Sequence, residues 1–159
     1  MALIKDINKG SKNPWYVVRR KDLDELILNI QAWATTSGFG GSIKTIGVAL
    51  SDETTDLTVG TAKITFRMPY AMTLTEVRAN VNTASNGADI IVDIKQGGVS
   101  IFTTNLLHID DLRVTSVGSS TTPNITTSAL TDNAEITMDL TQTGAIDQGT
   151  GLKVWLIGT

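Results

Sequence analysis

Apolar and polar residues alternate through the middle of the chain with a period of two. Ile64, Phe66 and Met68 alternate with Lys63, Thr65 and Arg67, the pattern of a strand with one face buried. Beyond Pro69 the pattern resumes, with Val77, Ala79 and Val81 on one face and Glu76, Arg78 and Asn80 on the other. Ser85-Asn86-Gly87 interrupts it, because Asn and Gly tolerate positive φ. Ile90, Val92 and Ile94 then alternate with Asp89, Ile91 and Asp93, and Lys95-Gln96-Gly97-Gly98 leads into Val99, Ile101 and Phe102. The stretch 63–102 therefore predicts an antiparallel meander with one apolar face.

Shorter strands are expected on either side, over 43–50 and 56–59, with further short ones at 106–109 and 112–114. Ile136, Met138 and Leu140 alternate with Glu135, Thr137 and Asp139, and a closing strand spans 152–157. Trp155 has the opposite parity to Val154 and Leu156, which turns it away from one sheet surface. Roughly seven or eight strands separated by Gly, Asn and Ser turns predict an antiparallel β-sandwich of jelly-roll type over 43–159.

The first 42 residues read differently. Residues 1–20 have no sustained period, yet they contain Trp15 and Tyr16 followed by Arg19 and Arg20. Aromatics in a segment too short to build a core suit either an arm that docks elsewhere or an edge strand on the same domain. The stretch 22–36 predicts one short α-helix. Asp22 caps it and Glu25 completes a capping-box-like pair. Leu23, Leu26, Ile30 and Trp33 follow seam-like spacing. About two heptads are too few to hold helices together alone, so the stripe is an oligomer contact or a face packed on the sandwich. Gly38, Gly40 and Gly41 then form a hinge.

Composition narrows the function classes. A chain of 159 residues fits one compact domain with an appendage. Its net charge of −3, with no basic block, gives no basis for nucleic-acid binding. No apolar run reaches the roughly 20 residues of a membrane-spanning helix, and the first residues lack the apolar core of a secretory signal. Synthesis and assembly inside a cell are expected. With no cysteine, thiolate catalysis, thiolate metal sites and disulfides are excluded.

Candidate chemistry is sparse. His108 precedes Asp110 and Asp111, but no second His or Cys completes a common zinc set. Asp89 and Asp93 lie about 13 Å apart along an extended strand, too far for a retaining carboxylate pair, and read as solvated positions. No serine has a nucleophile-elbow setting. The expectation is a protein with no enzymatic activity, cofactor or metal.

The runs ITFRMPYAMTLTEVRANVNTASNGADIIVDI and TDNAEITMDLTQTG and the terminal GTGLKVWLIGT resemble a β-sandwich module of tailed-bacteriophage virion structural proteins. The resemblance covers about residues 62–159. It implies a virion component, made in the host cytoplasm, of the capsid-decoration, head-fibre or tail-fibre type, and carries over no residue role. Together with the short N-terminal region it leads to a homotrimeric decoration (cement) protein or short head fibre. Trp15, Tyr16, Arg19 and Arg20 would anchor it to other virion proteins such as the major capsid protein. Leu23, Leu26, Ile30, Trp33 and Trp155 would be its oligomer contacts. The alternative is a receptor- or polysaccharide-binding tip, with Trp155 near Thr- and Asn-rich loops and host surface glycan as partner.

Overall fold

A computed structural model describes residues 42–159. The expected helix over 22–36, its stripe Leu23, Leu26, Ile30 and Trp33, and the arm residues Trp15, Tyr16, Arg19 and Arg20 all lie outside the described residues.

The described residues are mainly β, with no helix among them. Nine strands follow in order: β1 (Lys44–Ala49), β2 (Gly60–Arg67), β3 (Met72–Asn80), β4 (Ile90–Gln96), β5 (Val99–Ser100), β6 (Leu107–Ile109), β7 (Ala129–Leu130), β8 (Glu135–Gln142) and β9 (Lys153–Gly158). They form two antiparallel sheets, one in the order β1-β9-β3-β7 and the other β2-β8-β4-β5, with β6 also paired to β4. The arrangement is β-sandwich-like, with a shared core between the sheets.

Inward positions follow the period-two pattern. Ile90, Val92 and Ile94 of β4, Ile136, Met138 and Leu140 of β8, and Val154 and Leu156 of β9 are all buried in one cluster with Val77 and Ala79 of β3. Burying each such side chain contributes about 1.5–3 kcal/mol. The parity of Trp155 is as expected, since the half-exposed residues of β9 are Lys153, Trp155 and Ile157.

The meander expected over 63–102 is not formed. β2 and β4 both pair with β8, whereas β3 lies in the other sheet between β9 and β7. The chain crosses between sheets at 68–71 and again at 81–89. Period two records which face is buried but not which strand lies alongside, so the pattern is the same for either pairing. The hairpin between β4 and β5 is the one local pairing in the stretch. Its two-residue turn places Gly97 at φ 58° and Gly98 at φ 82°, the doubly positive turn that matches strand twist.

Two expected strands are loops. Residues 56–59 contribute only a single bridge, Asp56 to Thr150. At 112–114 the backbone turns at Leu112, with φ 61°, outside the range of regular extended strand.

Lys44, the first residue of β1, pairs with Gly158, the last residue of β9, which defines one end of the sandwich. Loops 51–57, 81–89, 110–119 and 143–151 gather at the opposite end. They are cross-linked by backbone hydrogen bonds, from Leu57 N–H to Gly149 O (2.9 Å), from Asn86 N–H to Asp147 O (2.8 Å) and from Leu112 N–H to Ser85 O (3.0 Å).

Leu156 is fully buried on central strand β9. Leu156→Ala is expected to cost about 2–5 kcal/mol, read as a lower urea midpoint with an unchanged slope.

Candidate functional site

The first cluster of titratable groups covers the outer face of the five-stranded sheet. Asp93 of β4 and Asp139 of β8 are directly opposed. Two like charges in that position repel, and both residues are buried, Asp93 to 8% exposure and Asp139 to 5%. Lys95, two residues along β4, resolves the conflict. Its Nζ donates to Asp139 Oδ2 at 2.5 Å and stands 3.9 Å from Asp93 Oδ2. Ser100 Oγ donates to Asp93 Oδ1 at 2.6 Å, and Ala62 N–H donates to Asp139 Oδ1 at 2.7 Å. Ala62 reaches that position at φ 47°, within the irregular register of β2 against β8.

Burial of Asp139 opposes ionisation, but the hydrogen bonds from Lys95 and Ala62 outweigh it and hold the carboxyl below its usual range. The same hydrogen bond to Asp139 raises Lys95. A fully paired cation and anion, each stabilised in its charged form, are poor proton-transfer groups at neutral pH. The solvated reading of Asp93 is therefore corrected, since the residue is a buried member of this cluster.

His108 lies on β6 at the same sheet's edge, with Nδ1 3.3 Å from Asp89 Oδ2. Asp89 Oδ1 also accepts from Asp111 N–H at 2.9 Å, and Asp111 Oδ1 accepts from Gly87 N–H at 2.9 Å. Asp110 turns the other way and accepts from Ser119 Oγ and Ser120 N–H. The hydrogen bonds from Ser119 and Ser120 hold the Asp110 carboxyl below its usual range. These carboxylates anchor loop backbone. Among the described residues no group of three His, Cys, Asp or Glu side chains is arranged to hold a metal.

Surfaces away from these carboxylates are more developed. On the outer face of the four-stranded sheet, Trp155 sits between Gly47 of β1 and Arg78 of β3. Its indole lies over Gly47, where an added Cβ would stand 3.0 Å from Nε1. Gly47 thus leaves room for the ring. Arg78 grips Glu76 through two hydrogen bonds of 2.6 and 2.8 Å. At the loop end, Lys153, Glu53 and Asn82 form a polar knot. Leu112 and Ile146 are each 69% exposed there, on loops that flank the 85–87 tip.

A groove of 280 Å³ opens along the edge of β3 beyond its short pairing with β7, lined by Thr75, Glu76, Val77, Leu107 and residues of the loop 116–125. A shallower hollow of 420 Å³ lies near Met72, Leu130 and Thr159. Of the anchor and oligomer-contact residues expected from sequence, only Trp155 lies among those described, and it lines neither hollow. The groove and the Asp93–Lys95–Asp139 cluster were missed because strands far apart in sequence build them. The outward parity of Asp93, Lys95 and Asp139 was the one available signal.

No protein-family model matches this chain, and neither a curated protein nor a solved structure matches it. The likeness to phage virion modules rests on the quoted residues alone.

Stability should depend on pH through Asp139. Its depressed carboxyl contributes stability above its unfolded value of about 3.9, and that contribution is lost as pH falls through the lower folded value. In Lys95→Met the sign reverses. Without the cation, burial and the opposed Asp93 raise Asp139, so the variant is least impaired in acid and weakens as pH rises through the raised value. Urea midpoints measured across acidic pH check both directions. Adding Asp139→Asn to Lys95→Met should recover part of the loss, because the uncompensated buried charge is removed.

Proposed function

We propose that the chain is a non-enzymatic structural component of a tailed-phage virion, a capsid decoration protein or short head fibre. In this reading residues 1–20 anchor the protein, with Trp15, Tyr16, Arg19 and Arg20 against other virion proteins such as the major capsid protein. The sandwich, with jelly-roll topology, is the displayed part. Three copies associate through the Leu23, Leu26, Ile30 and Trp33 stripe and through Trp155.

The observation that carries this reading is the polarity of the sandwich. The first strand begins at the end marked by Lys44 and Gly158, and the cross-linked loops occupy the other end. A module tethered at one end and furnished with bonded loops at the other suits display. Asp139, held ionised by the hydrogen bonds from Lys95 and Ala62, lacks the raised carboxyl of a general acid and supports a structural role. The resemblance noted in residues 62–159 supplies the virion context.

A second reading, a receptor- or polysaccharide-binding tip, is favoured by Trp155. The indole lies over Gly47 on the outer sheet face, half-exposed, and an indole in that position offers a stacking surface for a sugar ring.

Particle binding separates the two readings. Full-length chain added to capsids lacking it should bind in fixed stoichiometry, and removal of residues 1–20 should abolish binding while the sandwich stays folded. Binding that survives the truncation would refute the anchor. Binding of the isolated chain to host surface glycan, with no affinity for capsids, would establish the second reading instead. Light scattering should give the mass of a trimer, and a stable monomer at micromolar concentration would contradict that part.

A further inference from the structure

The edge of β3 remote from β9 has partners on both sides of a gap. Leu74 N–H donates to Ser128 O at 2.8 Å. Further along, Ala79 N–H donates to Ser116 Oγ at 2.9 Å, its carbonyl accepts from Ser116 N–H at 2.9 Å, and Val81 N–H donates to Val114 O at 3.0 Å. Alternate residues of a strand direct their peptide groups to the same edge. The N–H and C=O of Val77 therefore point the same way as those of Ala79 and Val81, away from β9. Neither group has a protein partner among the described residues, although Val77 is only 3% exposed. Buried backbone groups are nearly always paired, with protein, water or ligand atoms, so this pair is a donor and an acceptor open to polar atoms from the groove.

The pair opens into the 280 Å³ groove. Leu107 and Ile125 contribute apolar wall, and Thr121 and Thr122 stand on the opposite loop. The hydroxyls of these two threonines make no hydrogen bond among the described residues. The ends of the slot are shut by the Ser128 and Ser116 contacts, so an extended strand cannot run along the edge. The volume lies just below the roughly 300–1,000 Å³ of pockets for drug-sized ligands, which leaves room for one ring.

We propose that this slot is a carbohydrate subsite that takes a single pyranose ring through a vicinal diol. One hydroxyl oxygen accepts from Val77 N–H while its neighbour donates to the Val77 carbonyl. The ring's C–H face lies against Leu107 and Ile125, and its remaining hydroxyls meet Thr121 and Thr122. With no aromatic ring in the slot, one sugar unit binds weakly, and useful affinity comes from several copies engaged at once. The subsite is independent of the virion reading, because its test uses free sugars.

The test is a titration of the 15N-labelled full chain with D-glucose, D-galactose and D-mannose, and separately with tri-alanine, following the Val77 amide by NMR. At least one hexose should move that resonance saturably at millimolar concentration. Thr122→Trp, which fills the mouth from an exposed position, should weaken the response at least about tenfold, with the rest of the spectrum reporting that the variant is folded. No movement with any of the three hexoses overturns the proposal and leaves a slot satisfied by water. Movement with tri-alanine alone overturns it in favour of strand addition. A folded Thr122→Trp that binds hexose like the parent places the sugar elsewhere and also overturns it.

Discussion

The structure depends on one apolar layer between two sheets. β8 sits between β2 and β4 in one sheet, and β9 sits between β1 and β3 in the other. Their inward residues Met138, Leu140, Val154 and Leu156 are buried to 1% exposure or less. Because β2, β3 and β4 pair with strands from the last third of the chain, neither sheet forms without the other end of the sequence. Pairing of this kind raises the sequence separation of contacts and slows folding relative to local hairpins. It also means that the loops joining the strands are positioned from both sheets at once.

That constraint explains the polar features. Once Asp93 and Asp139 are brought opposite each other by the pairing of β4 with β8, a cation must lie between them, and Lys95 is the outward residue within reach. The cluster is a consequence of strand register, solved locally by hydrogen bonds from Ser100 and Ala62. At the loop end the same logic places carboxylates against backbone N–H groups. Asp89 holds Asp111, Asp111 holds Gly87, and Asp110 holds Ser120. These bonds fix the loops that carry exposed Leu112 and Ile146.

The legible part of the fold was the part written in side-chain parity. Alternation at Ile90, Val92 and Ile94, and at Ile136, Met138 and Leu140, marked buried faces that the structure contains, and Gly97-Gly98 marked the tight turn. Pairing was not legible, since a strand with one apolar face reads the same beside any neighbour. The meander over 63–102 was therefore expected where two crossings between sheets occur. Leu112 was read as strand because its side chain is apolar, whereas its positive φ belongs to the turn closed by Arg113 N–H on Asp110 O. Of the candidate site, the outward position of Trp155 followed from parity. The unpaired peptide groups of Val77 had no sequence signal, because backbone atoms are identical at every non-proline position.

The central claim is that the end remote from Lys44 and Gly158 is a bonded, preorganised surface rather than a set of loose connections. Amide hydrogen exchange on the full chain tests it most directly. Leu57, Asn86 and Leu112 donate across loops, and their amides should be protected well above the level of open loops, approaching that of central β8. Exchange of these three amides at the rate of unstructured chain, with β8 still protected, would contradict the account.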